Sequence, residues 1–148
     1  MIFVQTKKDL DEALKLLRKN SEKISFVPTM GNLHDGHLSL IDLAKKNSSK
    51  VIVSIFVNPL QFGKNEDFKK YPRTLNQDKN KLKEKKCDLL FFPKSKDEVF
   101  ANKNQFKKIS SGKIGNILCG KKRPGHFDGV LTVVHRLFSI IDDGYREA

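Results

Sequence analysis

Between Phe26 and His37 the chain reads Phe-Val-Pro-Thr-Met-Gly-Asn-Leu-His-Asp-Gly-His, and this stretch constrains the fold more than any other. It opens as a short apolar strand, Ile24 to Val27, that Pro28 is expected to break. It closes at the start of a helical pattern in which His37, Leu40, Ile41 and Ala44 share one face. A strand, a tight loop and a helix N-terminus in that order form the arrangement α/β proteins use to hold phosphate. Gly31 and Gly36 let the backbone turn sharply and approach a ligand. N–H groups without intrahelical partners at the helix start carry partial positive charge. His34 and His37, three residues apart, reach one small volume if the second opens the helix. Two imidazoles there can donate hydrogen bonds to phosphate oxygens as charge builds in a transition state. The competing reading is an ordinary strand-to-helix turn with polar loop residues, since four-residue motifs recur by chance.

No Gly-Lys-Ser/Thr follows, so this is not a Walker loop, and without Gly-x-Gly-x-x-Gly it is not a dinucleotide fingerprint. The His-x-Gly-His order resembles the signature of the nucleotidyl-transferring superfamily that includes class I aminoacyl-tRNA synthetases.

Around this stretch the chain alternates. Met1 to Val4 reads as a short strand, and Thr6-Lys7-Lys8-Asp9 as a capping box. Leu10, Ala13, Leu14 and Leu17 mark a helical face ending near Asn20-Ser21. The histidine-led helix runs to about Lys46, and Asn47-Ser48-Ser49 turns the chain. Val51 to Val57 is β-branched and apolar, the pattern of a strand buried on both faces of a parallel sheet. Polar residues just beyond such a strand, Asn58 and Gln61, are site candidates because ligand crevices lie outside the carboxyl ends of strands. Turn chemistry explains Asn58-Pro59 equally well. Pro72 suits the first turn of a helix reaching about Lys86, with a thin apolar stripe at Leu75 and Leu82 that puts it on the surface. Cys87 to Phe92 is a further buried strand. Glu98 to Phe100 suggests a helical turn and Phe106 to Ile109 a short strand. Val130, Val133, Val134, Leu137 and Phe138 form the buried face of a last helix, with Ile141 one turn on. This β-α-β-α-β order predicts a Rossmann-like, doubly wound parallel sheet.

At 148 residues the chain is one domain with room for a core. Lys and Arg outnumber Asp and Glu by 29 to 17, a formal charge of +12. That charge either attracts polyanions or clothes a lysine-rich solvated surface. Its dispersion favours the second reading, and no aromatic-interleaved basic motif supports nucleic acid as a partner. No apolar run approaches membrane-spanning length, and no signal-peptide hydrophobic region opens the chain. Cys87 and Cys119 make no metal or redox pattern, so a reducing, cytoplasmic setting is expected.

Longer blocks sharpen the resemblance. Pro28-Thr29-Met30-Gly31 with His34-x-Gly36-His37, Ser54 to Pro59 with Gln61-Phe62-Gly63, Asn65 to Phe68, Tyr71 to Thr74 with Asp78, and Arg123 to Phe127 with Gly129-Val130 and Thr132 to Val134 are similar to the pantoate–β-alanine ligase family. The resemblance implies a two-step reaction. Pantoate and MgATP give pantoyl adenylate and pyrophosphate, and β-alanine then displaces AMP. It implies that Met30, Gly31, Asn32, Leu33, His34, Asp35, Gly36 and His37 form the first ATP-binding segment. In the family's terms His34 and His37 contact the phosphates and His37 donates a proton. A neutral imidazole there would supply one hydrogen bond, and an imidazolium would add charge. Gln61 holds pantoate, with Pro28, Thr29, Met30 and Asn58 beside it. Asp78 sits where the family has an acid and would orient magnesium-bound water, though a helix-surface carboxylate is the commoner reading. His126 and Arg123 lie in a loop where capping and packing explain the histidine, and His135 is expected to be solvated. A homodimer is implied as well.

Family chains are nearly twice as long. The resemblance therefore implies the N-terminal nucleotide-binding half, residues 1–141, without a C-terminal domain. Residues 142–148 diverge from the family's Gly-x-Lys-Asp-Tyr-Gln segment, which would leave the chain poorly active by itself. The alternative is a non-catalytic nucleotide-binding or dimerisation module.

Overall fold

The computed structural model describes residues 1–19, 23–58, 74–100 and 126–146, with side chains of the last helix described from 129 to 142. Four strands, β1 (Ile2–Val4), β2 (Ile24–Thr29), β3 (Lys50–Ile55) and β4 (Leu89–Phe91), pair in parallel in the order β1-β4-β3-β2. Helices α1 (Lys7–Leu17), α2 (Asp35–Asn47) and α3 (Leu75–Glu84) connect them in sequence, and α4 (His126–Arg146) follows. From β1 the chain crosses to the far edge at β2, then returns through β3 to β4. A constant crossover hand puts the helices of the outward and return journeys on opposite faces. Two cores result. Leu10, Ala13 and Leu14 of α1 join Val133, Leu137, Ile140 and Ile141 of α4 over Ile52, Leu89 and Phe91. On the other face Ile41 of α2 and Leu82 of α3 cover Val51, Val53, Ile55 and Leu90. The side-chain alternation of β3 thus buries both its faces, as its unbroken apolar run requires.

Local chemistry starts and stops these elements. Thr6 caps α1 by accepting the Asp9 N–H at 3.1 Å, satisfying one donor that the first helical turn cannot. Lys86 leaves α3 with φ of +58°, and the Cys87 N–H reaches back to the Leu82 carbonyl at 3.0 Å.

Several expectations change. Pro28 does not break β2, which runs through it to Thr29 with Pro28 opposite Ser54. Among the described residues β2 pairs with β3 alone, and a proline is tolerated where no second strand needs its N–H. Leu40 points outward, 53% exposed, and α2 buries Ile41 instead. Helix α3 is not merely a surface helix, since Leu82 and Asp78 are both buried. Phe138 is also exposed in part, its ring meeting Phe26 edge-on at 5.0 Å, while α4 seats Thr132 and Arg136 inward. The Arg136 Nε donates to the Val99 carbonyl at 2.6 Å, tying α4 to the turn after β4. His135 is exposed, as expected, and α4 continues past Ile141 to Arg146. The expected strand at Phe106 to Ile109 lies outside the described residues.

Candidate functional site

The site grows from the carboxyl end of β2. Thr29, the last residue of the strand, is buried beside Ile55. Its hydroxyl donates to the Ser54 carbonyl at 2.8 Å and accepts the Gly31 N–H at 3.1 Å. One side chain therefore joins the two strands and starts the turn. Gly31 at φ +81° and Asn32 at φ +52° then reverse the backbone in the left-handed region. A Cβ on Gly31 would lie 2.9 Å from Ile55 Cγ2 and 3.2 Å from Asp78 Oδ2, so glycine is required here both for its conformation and for close approach.

Leu33 drops into the core beneath α2, and His34 takes the N-cap of that helix. His34 Nδ1 accepts the Gly36 N–H at 3.1 Å, and His37 Nδ1 accepts the His34 N–H at 3.2 Å. This is a reciprocal capping box built from two imidazoles in place of the usual hydroxyl and carboxylate. The rings lie 4.0 Å apart between centroids. An Nδ1 that accepts carries no proton, so the neutral ring bears its proton on Nε2. The cap therefore sets the tautomer of both histidines and leaves each with an Nε2–H donor. Burial holds the His37 pKa below its ordinary 6.5, and repulsion from His34 adds to this while Asp78 opposes it. His37 is thus a neutral donor near pH 7, which decides between the two forms left open by the sequence.

Several backbone amides of the turn are already engaged. The N–H groups of Gly31, Asn32, Leu33, His34 and Gly36 all donate within the protein. The two acceptors for Asn32 and Leu33, each at 2.9 Å, are Asp78 Oδ2 and Oδ1. The Thr74 hydroxyl donates to the same carboxylate at 3.3 Å. Asp78 is 1% exposed, so it is not the helix-surface carboxylate that was the commoner reading of the sequence. Among the described residues no three His, Cys, Asp or Glu side chains gather as a cation site. These residues do not form a protein-built magnesium site, and an acceptor already engaged by two amides and a hydroxyl is poorly disposed to make one.

Two cavities flank Met30. One, of about 280 Å³, is lined by Pro28, Thr29, Met30, His37, Phe56 and the Val130–Leu137 face of α4. The other, about 420 Å³, lies over Gly31, Asn32, Asp78, Phe92 and Lys94 to Lys96. Of the residues singled out from sequence, Pro28, Thr29, Met30 and His37 thus converge on the first cavity. Gly31, Asn32 and Asp78 converge on the second. His34 and Asp35 are exposed at the start of α2, and Gly36 is the close neighbour over which the His34 ring folds. Asn58 is 1% exposed just past β3 and lines neither cavity. Gln61 and Arg123 lie outside the described residues, as does the side chain of His126. Sequence reasoning missed Lys81, whose Nζ donates to the Leu33 carbonyl at 2.8 Å. Its i, i+3 spacing from Asp78 was the available signal.

A doubly wound parallel sheet with a histidine-capped turn at its strand ends defines a Rossmann-like domain whose site lies at the carboxyl edge. More particularly, the chain belongs to the pantoate–beta-alanine ligase family, whose profile matches residues 2–144. It is 54% identical over 128 residues to the pantothenate synthetase of Neisseria meningitidis, covering 86% of this chain and 46% of that protein. With the Caldicellulosiruptor bescii pantothenate synthetase it shares 48% identity over 143 residues, 96% of this chain and 50% of the relative. The crystal structure of pantoate-beta-alanine ligase from Francisella tularensis, complexed with beta-gamma ATP and beta-alanine, superposes with a TM-score of 0.86 at 45% identity. That match covers 95% of this chain and 53% of the other. Pantothenate synthetase from Thermus thermophilus gives a TM-score of 0.85 at 42% identity, over 96% of this chain and 49% of that one. The chain spans about half the length of the curated relatives it matches.

Proposed function

We propose that this domain binds ATP and pantoate and carries the first half of an ATP-dependent ligation of pantoate to β-alanine. The observation behind this reading is the reciprocal imidazole cap, which leaves two Nε2–H donors at the start of α2 with His37 on the wall of the Met30 cavity. In the first step a pantoate carboxylate oxygen attacks the α-phosphorus. The bond to pyrophosphate breaks, giving pantoyl adenylate. Negative charge grows on the phosphate oxygens and the departing pyrophosphate, and preorganised neutral donors stabilise it without reorganising. His34 and His37 are those donors, each through an Nε2–H hydrogen bond, which neutral His37 makes while keeping its proton. In the second step the β-alanine amine attacks the acyl carbon, AMP leaves with the bonding pair, and the amine proton is released to solvent. The apolar wall of Pro28, Phe56, Val130 and Val133 suits the dimethyl end of pantoate, with Gln61 as its expected polar partner. Magnesium enters with the triphosphate, held by phosphate and water oxygens, and no step is assigned to a protein-bound ion.

The test is pantoate-dependent release of pyrophosphate from ATP by the wild-type chain and by His37→Ala. We expect loss of roughly 10²–10³-fold in the variant, the usual effect of removing one such donor. Equal rates would remove His37 from the reaction. A second reading is favoured by the matched span: a domain covering about half its relatives' length binds nucleotide and pantoate without turning over alone. Thermal stabilisation by ATP or pantoate with no pyrophosphate would support it. In either case the setting is the cytoplasm and the assembly a homodimer. Exposed Leu40 and Leu43 on α2 and Leu131 on α4 are consistent with further contact. Sedimentation as a monomer at tens of micromolar, roughly the range where weak dimers persist, would argue against the dimer.

A further inference from the structure

We propose that Asp78, with Lys81 one turn along α3, is the positioning residue of the histidine turn, setting the orientation in which His34 and His37 meet the nucleotide, and that it does so bound to the loop backbone and not to a metal. The inference rests on the reading of this turn as the phosphate-contacting element.

Three successive peptide planes are held from α3. Asp78 Oδ2 takes the N–H of the 31–32 peptide and Oδ1 that of the 32–33 peptide, both at 2.9 Å. The third plane, 33–34, is gripped at both ends. Its carbonyl oxygen accepts from Lys81 Nζ at 2.8 Å, and its N–H donates to His37 Nδ1 at 3.2 Å. Lys81 thus fixes the plane whose N–H orients the His37 ring. A cation on the carbonyl also polarises the peptide and strengthens that N–H as a donor.

Successive N–H groups in a turn can form a concave anion-binding nest. Gly31 and Asn32, at φ +81° and +52°, make such a nest, and the Asp78 carboxylate occupies it. Burying a carboxylate is costly unless its oxygens are satisfied. Here two amides and the Thr74 hydroxyl satisfy them. Thr74 stands at the N-cap of α3, yet its side chain makes no capping bond and turns to Asp78 instead. A helix that gives up its own cap to support a neighbouring loop is the kind of local conflict expected near a working site. Gly31 completes the fit, because any Cβ there would sit 3.2 Å from Asp78 Oδ2.

Asp78→Asn and Lys81→Met test the idea on the 148-residue chain. In the absence of ligand and with EDTA present, imidazole ¹⁵N shifts report the tautomers of His34 and His37, and amide exchange reports the Asn32 and Leu33 N–H groups. We expect Nε2–H tautomers in the wild type. Asp78→Asn should quicken exchange at Asn32 or Leu33 by about tenfold or more, since one N–H would face an NH₂. Lys81→Met should leave His37 a mixture of tautomers. In the pyrophosphate assay each variant should lose roughly 10²-fold in kcat, the scale of a displaced catalytic group, with the KM for ATP changing by less than about threefold. Unchanged exchange, tautomers and kcat in both variants would overturn the proposal. Differences that appear only when Mg²⁺ is added would overturn it too, in favour of a metal role. Should Asp78→Asn fail to fold, Lys81→Met decides alone. A wild type without turnover would sink the ligase reading, and the ring and exchange data would still decide the clamp.

Discussion

His34 and His37 hold each other in one tautomer: the ring of the first caps the Gly36 amide, and the ring of the second takes the amide of the first. Structure and chemistry are joined in that exchange, because the same Nδ1 atoms that finish the helix free Nε2–H for a ligand. The two roles separate by substitution. Glutamine at His37 keeps an acceptor at the third helical position, where Gln is a usual capping-box partner. His37→Gln is expected to hold stability within about 0.5 kcal/mol, and His37→Ala to lose about 0.3–1.5 kcal/mol. Urea denaturation of both variants measures this. Both should lose pyrophosphate release, so an equal stability loss in the two would contradict the division of roles.

Acid should weaken the fold through His37. Its folded pKa lies below the unfolded value, chiefly through burial, then through repulsion from His34. Between the two values the unfolded chain binds more protons, so stability rises with pH there. The contribution is complete above the ordinary 6.5 and is lost as pH falls through the folded pKa. Urea midpoints at pH 7.5 and 5.5 should therefore differ more in the wild type than in His37→Gln. A difference of the same size in both would show that other groups carry the effect.

The two glycines of the turn should fail differently. Gly31→Ala puts a Cβ into Ile55 and Asp78 at a positive φ, and should destabilise by more than about 1 kcal/mol. A Cβ on Gly36 meets the His34 ring at 2.9 Å, an exposed side chain that can swing away. Gly36→Ala should therefore keep or raise stability, since alanine favours helix by about 1 kcal/mol over glycine, while losing the His34 cap. Thermal unfolding together with the His34 ring ¹⁵N shift would detect both outcomes. A retained His34 tautomer in Gly36→Ala would contradict this account.

Helix α2 offers a packing contrast. Ile41 is fully buried and Leu40 is 53% exposed. Ile41→Ala should cost about 2–5 kcal/mol, and Leu40→Ala no more than about 0.5 kcal/mol. Chemical denaturation of the two variants compares them directly. A larger loss at Leu40 would mean that its outer face is covered in solution.

Cys87 should resist alkylation. Burial pushes its thiol up to about 11. The thiolate is the nucleophile, so in a Cys119→Ser background iodoacetamide at pH 8 should label Cys87 only as fast as the domain opens. Labelling at the rate of a free thiol would refute its burial.

The sequence by itself determined the parallel α/β class, because periodicity is local. The doubly apolar run of β3, the 3.6-residue stripe of α1 and the Thr6 cap are each written within a few residues. It also singled out the candidate turn, since glycine and histidine at fixed spacing are local too. The tertiary structure decided what that turn does. Pro28 continues β2, which among the described residues pairs with β3 alone, and sheet order is not a local property. Leu40 faces outward and Ile41 inward because packing chose among several apolar residues on one helix. The Asp78 carboxylate became the anchor of Asn32 and Leu33, 46 and 45 residues earlier, by a crossover that brings α3 against the turn. That contact joins segments far apart in the chain, and no local pattern encodes the distance between them. The tautomer of His37 is likewise invisible in the sequence: it depends on one peptide plane, and Lys81 holds that plane from another helix.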